Sequence, residues 1–245
     1  KKGFKKMVIK LPYGSSGKGL KIINNEVQFQ RLVNYLKRHC KEKVFLLIEG
    51  WHNIKRSLNS QFIIGNYETK LLSITEQIIN SDGVYFGTNY TPHYKDELLK
   101  NYKKQVYEIS NLIQDLGYRG IIGIDSIQDQ DNIIYPTIEI NARFTQVTYL
   151  LPLVSKLSKD YKFIESRIFR MNFSQKVSFL DIKRTLDRLF KKANDLDYLI
   201  YTYAHTHHGQ RNYYKLFILF MGNTQECLKG IIEDVKGMEQ NSVAK

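Results

Sequence analysis

The sequence predicts an α+β fold in which antiparallel β-hairpins are backed by amphipathic helices. Three observations predict it. Strand-like runs come in pairs joined by a short polar turn or a glycine-rich tip, at 7–10 with 21–23 and at 121–125 with 133–140, the pattern of hairpins. Two stretches, 26–40 and 93–116, carry apolar residues at helical spacing. Past residue 156 the mixture returns, with strand-like runs at 165–173, 198–204 and 213–221 around a basic amphipathic segment at 178–193. Three parts follow: a small lid at 1–43, a larger unit at 44–155, and a carboxy-terminal α+β portion at 156–245 packed on it.

Each element has its own justification. The first hairpin has a long tip containing Gly14, Ser15, Ser16, Gly17, Lys18 and Gly19. Phe29, Leu32, Val33, Leu36 and Cys40 form the stripe of the helix behind it. Residues 44–51 read as a strand, and 60–75 as two short strand-like runs around Asn66-Tyr67-Glu68. Residues 85–92 read as a polar, aromatic loop, either lining a ligand pocket or simply connecting elements. The second helix should point Leu98, Tyr102, Val106, Ile109, Leu112 and Leu116 inward and stop at Gly117. Near the end, Asn223 with Glu226 forms a cap pattern for a helix to Met238. His205-Thr206-His207-His208 reads as a loop between strands rather than a zinc site, having no clear acidic or cysteine partner.

Composition narrows the class. The chain has 245 residues, 42% of them hydrophobic, enough to bury a substantial core. No apolar run reaches the ~18 residues a membrane helix needs, and no signal peptide is visible. Cys40 and Cys227 alone make neither a disulfide framework nor a zinc ribbon, so the expected compartment is the cytoplasm. The balance of 37 Lys+Arg against 24 Asp+Glu, net +13, favours acidic partners: nucleotides, phosphorylated substrates or an acidic carrier protein. Nucleic acid is disfavoured as a partner, since no recognisable binding motif accompanies the charge. The oligomeric state is left open.

The chemistry concentrates in Glu139-Ile140-Asn141-Ala142-Arg143. On a strand, side chains alternate faces. Ile138, Ile140 and Ala142 would pack into a core, leaving an anion, a neutral oxygen donor and a cation in a row on the other face. Across the turn at 128–132, Asp125 would meet Glu139 at about 5 Å. Carboxylates that close repel unless a cation lies between them, and Mg²⁺ takes oxygen ligands of this kind. Asp125, Glu139 and Asn141 are therefore the candidate metal ligands, against the alternative of a solvated polar face on an edge hairpin. In the first hairpin, the glycines and serines permit close backbone approach to a ligand, and consecutive N–H groups can cradle phosphate oxygens. Lys10 enters this loop and Lys18 sits in its tip. It is not a Walker A loop, because Gly17-Lys18-Gly19-Leu20 leads into a strand.

These motifs in this order resemble the ATP-grasp superfamily, and within it the carboxylate–amine ligases related to D-alanine–D-alanine ligase. Val8-Ile9-Lys10-Leu11-Pro12 and the glycine-rich tip resemble its lysine strand and phosphate loop. Residues 44–51, with Glu49 and Trp51, resemble the hinge strand that holds adenine, and 120–125 and 139–143 the two metal-binding strands. The resemblance implies that Lys10 contacts nucleotide and that Gly14, Ser15, Ser16, Gly17 and Gly19 close over the phosphates. It implies that Glu49 accepts from the adenine amino group, with Trp51 in the same nucleotide-binding set. Asp125, Glu139 and Asn141 would bind two Mg²⁺, with Mn²⁺ as a substitute, and Arg143 and Lys18 would be catalytic. The family's second acidic residue for ribose has no counterpart in Trp51-His52-Asn53-Ile54-Lys55-Arg56-Ser57. Its amino-terminal domain has none either, so the chain reads as part of a longer protein.

The implied activity is ATP-dependent ligation. A small-molecule carboxylate becomes an acyl phosphate, and an amine or a thiol then attacks it. The alternatives are a kinase on the same fold, which would release ADP without phosphate, a basic nucleic-acid-binding module, and a pseudo-enzyme holding nucleotide as a structural ligand.

Overall fold

In a computed structural model that describes residues 6–10, 20–39, 45–80, 83–191 and 195–243, the hairpins assemble into two antiparallel sheets. The small one has the order β2-β1-β3 and comprises β1 (Met7–Lys10), β2 (Leu20–Ile23) and β3 (Leu47–Gly50). Helix α1 (Glu26–His39) follows β2 and packs on it with its half-buried stripe of Phe29, Leu32, Val33 and Leu36. Cys40, expected at the end of that stripe, lies outside the described residues.

The large sheet has eight strands: β4 (Ile54–Ile64), β5 (Thr69–Ile79), β6 (Tyr85–Asn89), β7 (Gly120–Asp129), β8 (Ile134–Asn141), β9 (Phe163–Phe173), β10 (Leu196–His208) and β11 (Arg211–Gly222). Their order is β10-β11-β9-β6-β5-β4-β7-β8. Helices α2 (Asp96–Asp115), α4 (Phe179–Phe190) and α5 (Gln225–Val243) cover one face. Tyr102 and Val106 of α2 bury against Leu58, Phe62, Ile122 and Ile124. Ile182, Leu186, Leu228 and Ile232 of α4 and α5 bury against Phe169, Leu216, Ile218 and Phe220. On the opposite face α3 (Gln146–Leu157) packs Val147, Leu150 and Val154 onto Tyr90, Ile164, Leu219 and Met221. That face is apolar under α3 and polar beside it, where Ser57, Asn59 and Gln61 of β4 lie in register with Ile127, Asp125 and Gly123 of β7.

Several expectations change. β3 pairs with β1, so residues 47–50 belong to the small sheet and not to the unit begun at residue 44. The carboxy-terminal strands β9–β11 are hydrogen-bonded members of the large sheet rather than a portion packed on it. The two runs at 60–75 are the tip of a much longer hairpin, β4–β5. Residues 85–89, expected as loop, form an interior strand between β5 and β9. There Gly87 permits close contact: a Cβ would lie 2.0 Å from the Ser166 carbonyl oxygen.

β8 is an edge strand, so Ile138 and Ile140, expected in the core, are 40% and 46% exposed, and Ala142 is exposed. Leu112 and Leu116 also turn outward, because Ser110 and Ile113 take the inward positions in the last turns of α2. Gly117 ends this helix at φ +93°, with the Tyr118 N–H donating back to Ile113 O. The histidine run lies within β10, where the rings of His205 and His207 both reach Asn212 Oδ1. α5 is capped by Thr224 Oγ1, which accepts from the Cys227 N–H, while Asn223 Oδ1 accepts from the Lys162 N–H. Among the described residues no helix is long and apolar enough to cross a membrane.

Candidate active site

The β7–β8 hairpin sets Asp125 directly opposite Glu139. Register partners share a sheet face, so both carboxylates project toward the small sheet. From that sheet, β1 contributes Lys10 and β3 contributes Glu49. Their alternation places Val8, Lys10 and Glu49 on one face, while Met7 and Ile48 face away beside Phe29. Lys10 Nζ pairs with Glu49 Oε2 at 2.5 Å and donates to the Ile138 carbonyl of β8 at 3.4 Å, tying the two sheets together across the gap. Lys10, Glu49, Trp51, Gln77, Asp125 and Glu139 line one cleft of about 150 Å³ between the sheets. A wider groove of about 810 Å³ continues past Trp51, Ser57 and Gln77, but neither Asp125 nor Glu139 lines it. The smaller cleft is therefore the candidate site.

Asp125 is buried and heavily hydrogen-bonded. Its Oδ1 accepts from Asn59 Nδ2 at 2.6 Å and from Gln77 Nε2 at 2.9 Å, and its Oδ2 from Asn141 Nδ2 at 3.2 Å. Burial first, and then the charge of Glu139, nevertheless push its pKa up to about 6 against those hydrogen bonds. Arg143 Nη2 donates to Asn141 Oδ1 at 2.9 Å, so Arg143 is tied to the same cluster. Here the Asn141 amide turns its nitrogen, not its oxygen, toward Asp125. Rotating the amide exchanges the two, and the same side chain can then offer oxygen to a cation.

Of the residues singled out from sequence, Lys10, Glu49, Trp51, Asp125 and Glu139 meet in the cleft, and Asn141 and Arg143 join through hydrogen bonds. Glu49 commits one carboxylate oxygen to Lys10, beside any role toward adenine. Gly14, Ser15, Ser16, Gly17, Lys18 and Gly19 lie outside the described residues. Sequence reasoning missed Asn59, Gln61 and Gln77. For Asn59 and Gln61 a signal was available: buried amides alternating with Leu58 and Phe62 on one strand have no packing reason to be there.

The donor set suits a hard divalent cation. Among the described residues no group of three or more His, Cys, Asp or Glu could hold a metal. Two opposed carboxylates and a neighbouring amide are all oxygen donors, and Mg²⁺ typically takes one or two carboxylates with phosphates and waters completing its shell. The opposition that Glu139 presents to Asp125 ionisation is the cost such a cation offsets.

Comparison with known proteins places the chain in a family. A family model described as L-aspartate–L-methionine ligase, ATP grasp, matches residues 7–141. The [Butirosin acyl-carrier protein]–L-glutamate ligase of Niallia circulans is 45% identical over 228 residues, 92% of this chain and 54% of that protein. The chain thus spans about half the length of this curated relative. Among solved structures, the L-amino acid ligase from Bacillus licheniformis has a TM-score of 0.62 at 14% identity, covering 97% of this chain and 63% of that one. N5-carboxyaminoimidazole synthetase from Staphylococcus aureus, complexed with ADP, has a TM-score of 0.61 at 16% identity, covering 95% and 61%. Identities this low speak to fold alone. The family match covers more than half of the sequence and both halves of the cleft, and the chain belongs to the ATP-grasp ligase family.

Proposed function

We propose that the intact protein joins an amino-acid carboxylate to an acceptor at the expense of ATP. The carboxylate oxygen attacks the γ-phosphorus, giving an acyl phosphate and ADP. The acceptor, an amine or the thiol of an acidic carrier protein, then attacks the acyl carbon and expels phosphate. The observation that carries this reading is the in-register opposition of Asp125 and Glu139, facing Lys10 and Glu49 across one cleft. The relatives' names supply the substrate class, an amino acid with either a second amino acid or a carrier protein. A net charge of +13 favours the acidic carrier.

Phosphoryl transfer needs positioning and charge neutralisation more than covalent help. Lys10, aimed by Glu49, offers a cation on the nucleotide side. Arg143, steadied by Asn141, offers a planar guanidinium suited to phosphate oxygens. Asp125, Glu139 and Asn141 would hold Mg²⁺, or Mn²⁺ in its place. An ion held there would supply positive charge against the phosphates. Closure of the small sheet over the cleft would limit water access and protect an acyl phosphate from hydrolysis. Lys18 and the glycine-rich tip would close over the phosphates.

The test is product analysis on the intact protein with L-glutamate, other amino acids and carrier proteins. ADP and phosphate should appear together, and only when carboxylate and acceptor are both present. ADP without phosphate would instead establish a kinase.

A further inference from the structure

We infer that Gln61 is a positioning residue, which fixes the Asp125 carboxylate and the segment carrying Arg143 relative to one another. The inference rests on the metal-dependent ligase reading above. Gln61 lies on β4, is 0% exposed and touches neither carboxylate. Its amide nitrogen donates to Asn59 Oδ1 at 2.7 Å, and Asn59 Nδ2 donates in turn to Asp125 Oδ1 at 2.6 Å. Its amide oxygen accepts from Thr148 Oγ1 at 2.6 Å and from Thr145 Oγ1 at 3.3 Å. All of these donors point the same way, from the start of α3 toward the carboxylate. Each dipole therefore favours the next bond, and the chain ends on the group that must be anionic to bind a cation.

Thr145 and Thr148 are themselves the N-terminal capping box of α3: the Thr145 N–H donates to Thr148 Oγ1 at 3.0 Å, and the Thr148 N–H to Thr145 Oγ1 at 3.4 Å. The segment 142–145, which carries Arg143, is thus held at both ends. Asn141 ties its start to Asp125, and Thr145 ties its end to Gln61. A second observation is independent of these bonds. Gly123 is the register partner of both Gln61 and Asn141. A Cβ there would lie 2.6 Å from Gln61 Nε2 and 3.2 Å from Thr145 Cγ2. The missing side chain at Gly123 is the space that lets the amide lie flat across the strand pair.

The experiment compares Gln61→Leu with Thr148→Val, which removes the shorter of the two bonds to Gln61 Oε1 without entering the sheet, and with it the acceptor of the Thr145 N–H. ADP affinity is titrated with and without Mg²⁺ on the intact proteins, and amide hydrogen exchange of 142–148 is followed without nucleotide or metal. The Mg²⁺ enhancement of binding should fall about tenfold in each variant, at the lower end of outer-shell effects on metal sites, while Mg²⁺-free affinity stays within about twofold. Exchange at 142–148 should accelerate in both, and the double variant should be no worse than the poorer single one. Mg²⁺ enhancement and exchange that both stay at wild-type levels in Gln61→Leu overturn the positioning role. If Gln61→Leu does not fold, Thr148→Val decides by its Mg²⁺ enhancement alone, because loss of the α3 cap speeds exchange by itself. Loss of thermal stability with unchanged Mg²⁺ enhancement also overturns it, since that is a packing role. No enhancement in the wild type overturns the metal-dependent function itself, and the inference with it.

Discussion

Replacing Asp125 by Asn should make the metal-free protein more stable while removing its affinity for Mg²⁺. Burial holds the Asp125 pKa near 6, against about 3.9 for an aspartate in an unfolded chain. At about 1.4 kcal/mol per pKa unit, keeping this group ionised costs the fold about 3 kcal/mol. The sign follows from the direction of the shift. Above pH 6 the carboxylate is charged in both states and the full cost is felt. As the pH falls from 6 toward 4 the folded protein takes up a proton before the unfolded chain does, and the cost disappears. Asn keeps the shape, and its oxygen can still accept from Asn59 and Gln77. Its nitrogen meets the donating Asn141 amide, which loses roughly 1 kcal/mol unless that amide turns. The net gain is about 2 kcal/mol at pH 7.5, or roughly 4–8 °C in Tm for a chain of this size, and close to nothing at pH 4.5. The assay is urea and thermal unfolding of both proteins in EDTA at the two pH values. Millimolar Mg²⁺ should then narrow the gap by stabilising the wild type alone. An Asp125→Asn protein less stable than wild type at pH 7.5, or a gain that persists undiminished at pH 4.5, refutes the reasoning.

Two further outcomes follow from the same geometry. Lys10→Ala breaks a pair whose side chains are 27% and 40% exposed, so unfolding should change by less than about 1 kcal/mol while calorimetric titration shows nucleotide affinity falling about tenfold. Equal affinity in the variant removes Lys10 from the nucleotide site. Gly87→Ala places a Cβ 2.0 Å from the Ser166 carbonyl, and rigid backbone cannot give way as a flexible side chain can. A loss of at least about 3 kcal/mol, read from the urea midpoint, is expected, and a shift under about 1 kcal/mol would mean that β6 and β9 do not lie so close.

The candidate site was legible where local rules dominate. A short turn pairs the two strands, and a period of two puts Asp125 and Glu139 on one face. Their direct opposition also needs the register shift between Asp125 and Ile127, without which Asp125 would stand opposite Thr137. Position within a sheet is not a local property. Nothing in Ile138-Glu139-Ile140 says that β8 has no neighbour on its far side, and its isoleucines are exposed for that reason. The opposite error befell residues 85–89. Tyr85-Phe86-Gly87-Thr88-Asn89 is short, polar and interrupted by glycine, yet its partners β5 and β9 are separated by about 90 residues of chain. Glycine read there as a loop signal is instead what lets two strands pack closely. The placement of Lys10 and Glu49 came from family resemblance, since no spacing rule links a strand in one sheet to a carboxylate in the other.

What most sets this sheet apart is the sequence of its interior strand β4. In β4, Leu58 and Phe62 face the α2 core while Ser57, Asn59 and Gln61 face the cleft. The neighbouring strand adds Thr75 and Gln77 on that side. For stability alone such a face would be aliphatic, as it is where Ile164, Leu219 and Met221 meet α3. Buried amides are tolerated only when paired, and here each pairing leads toward Asp125. Ser73 Oγ and Thr75 Oγ1 are buried without a hydrogen-bond partner, a penalty of roughly 1–3 kcal/mol each. One face of a single sheet is thus divided along its strand order, packed against α3 at one end and held polar beneath the small sheet at the other. That division gives up folding energy where the carboxylates stand, and it is why an interior strand rich in neutral polar residues is a stronger sign of a site than either carboxylate alone.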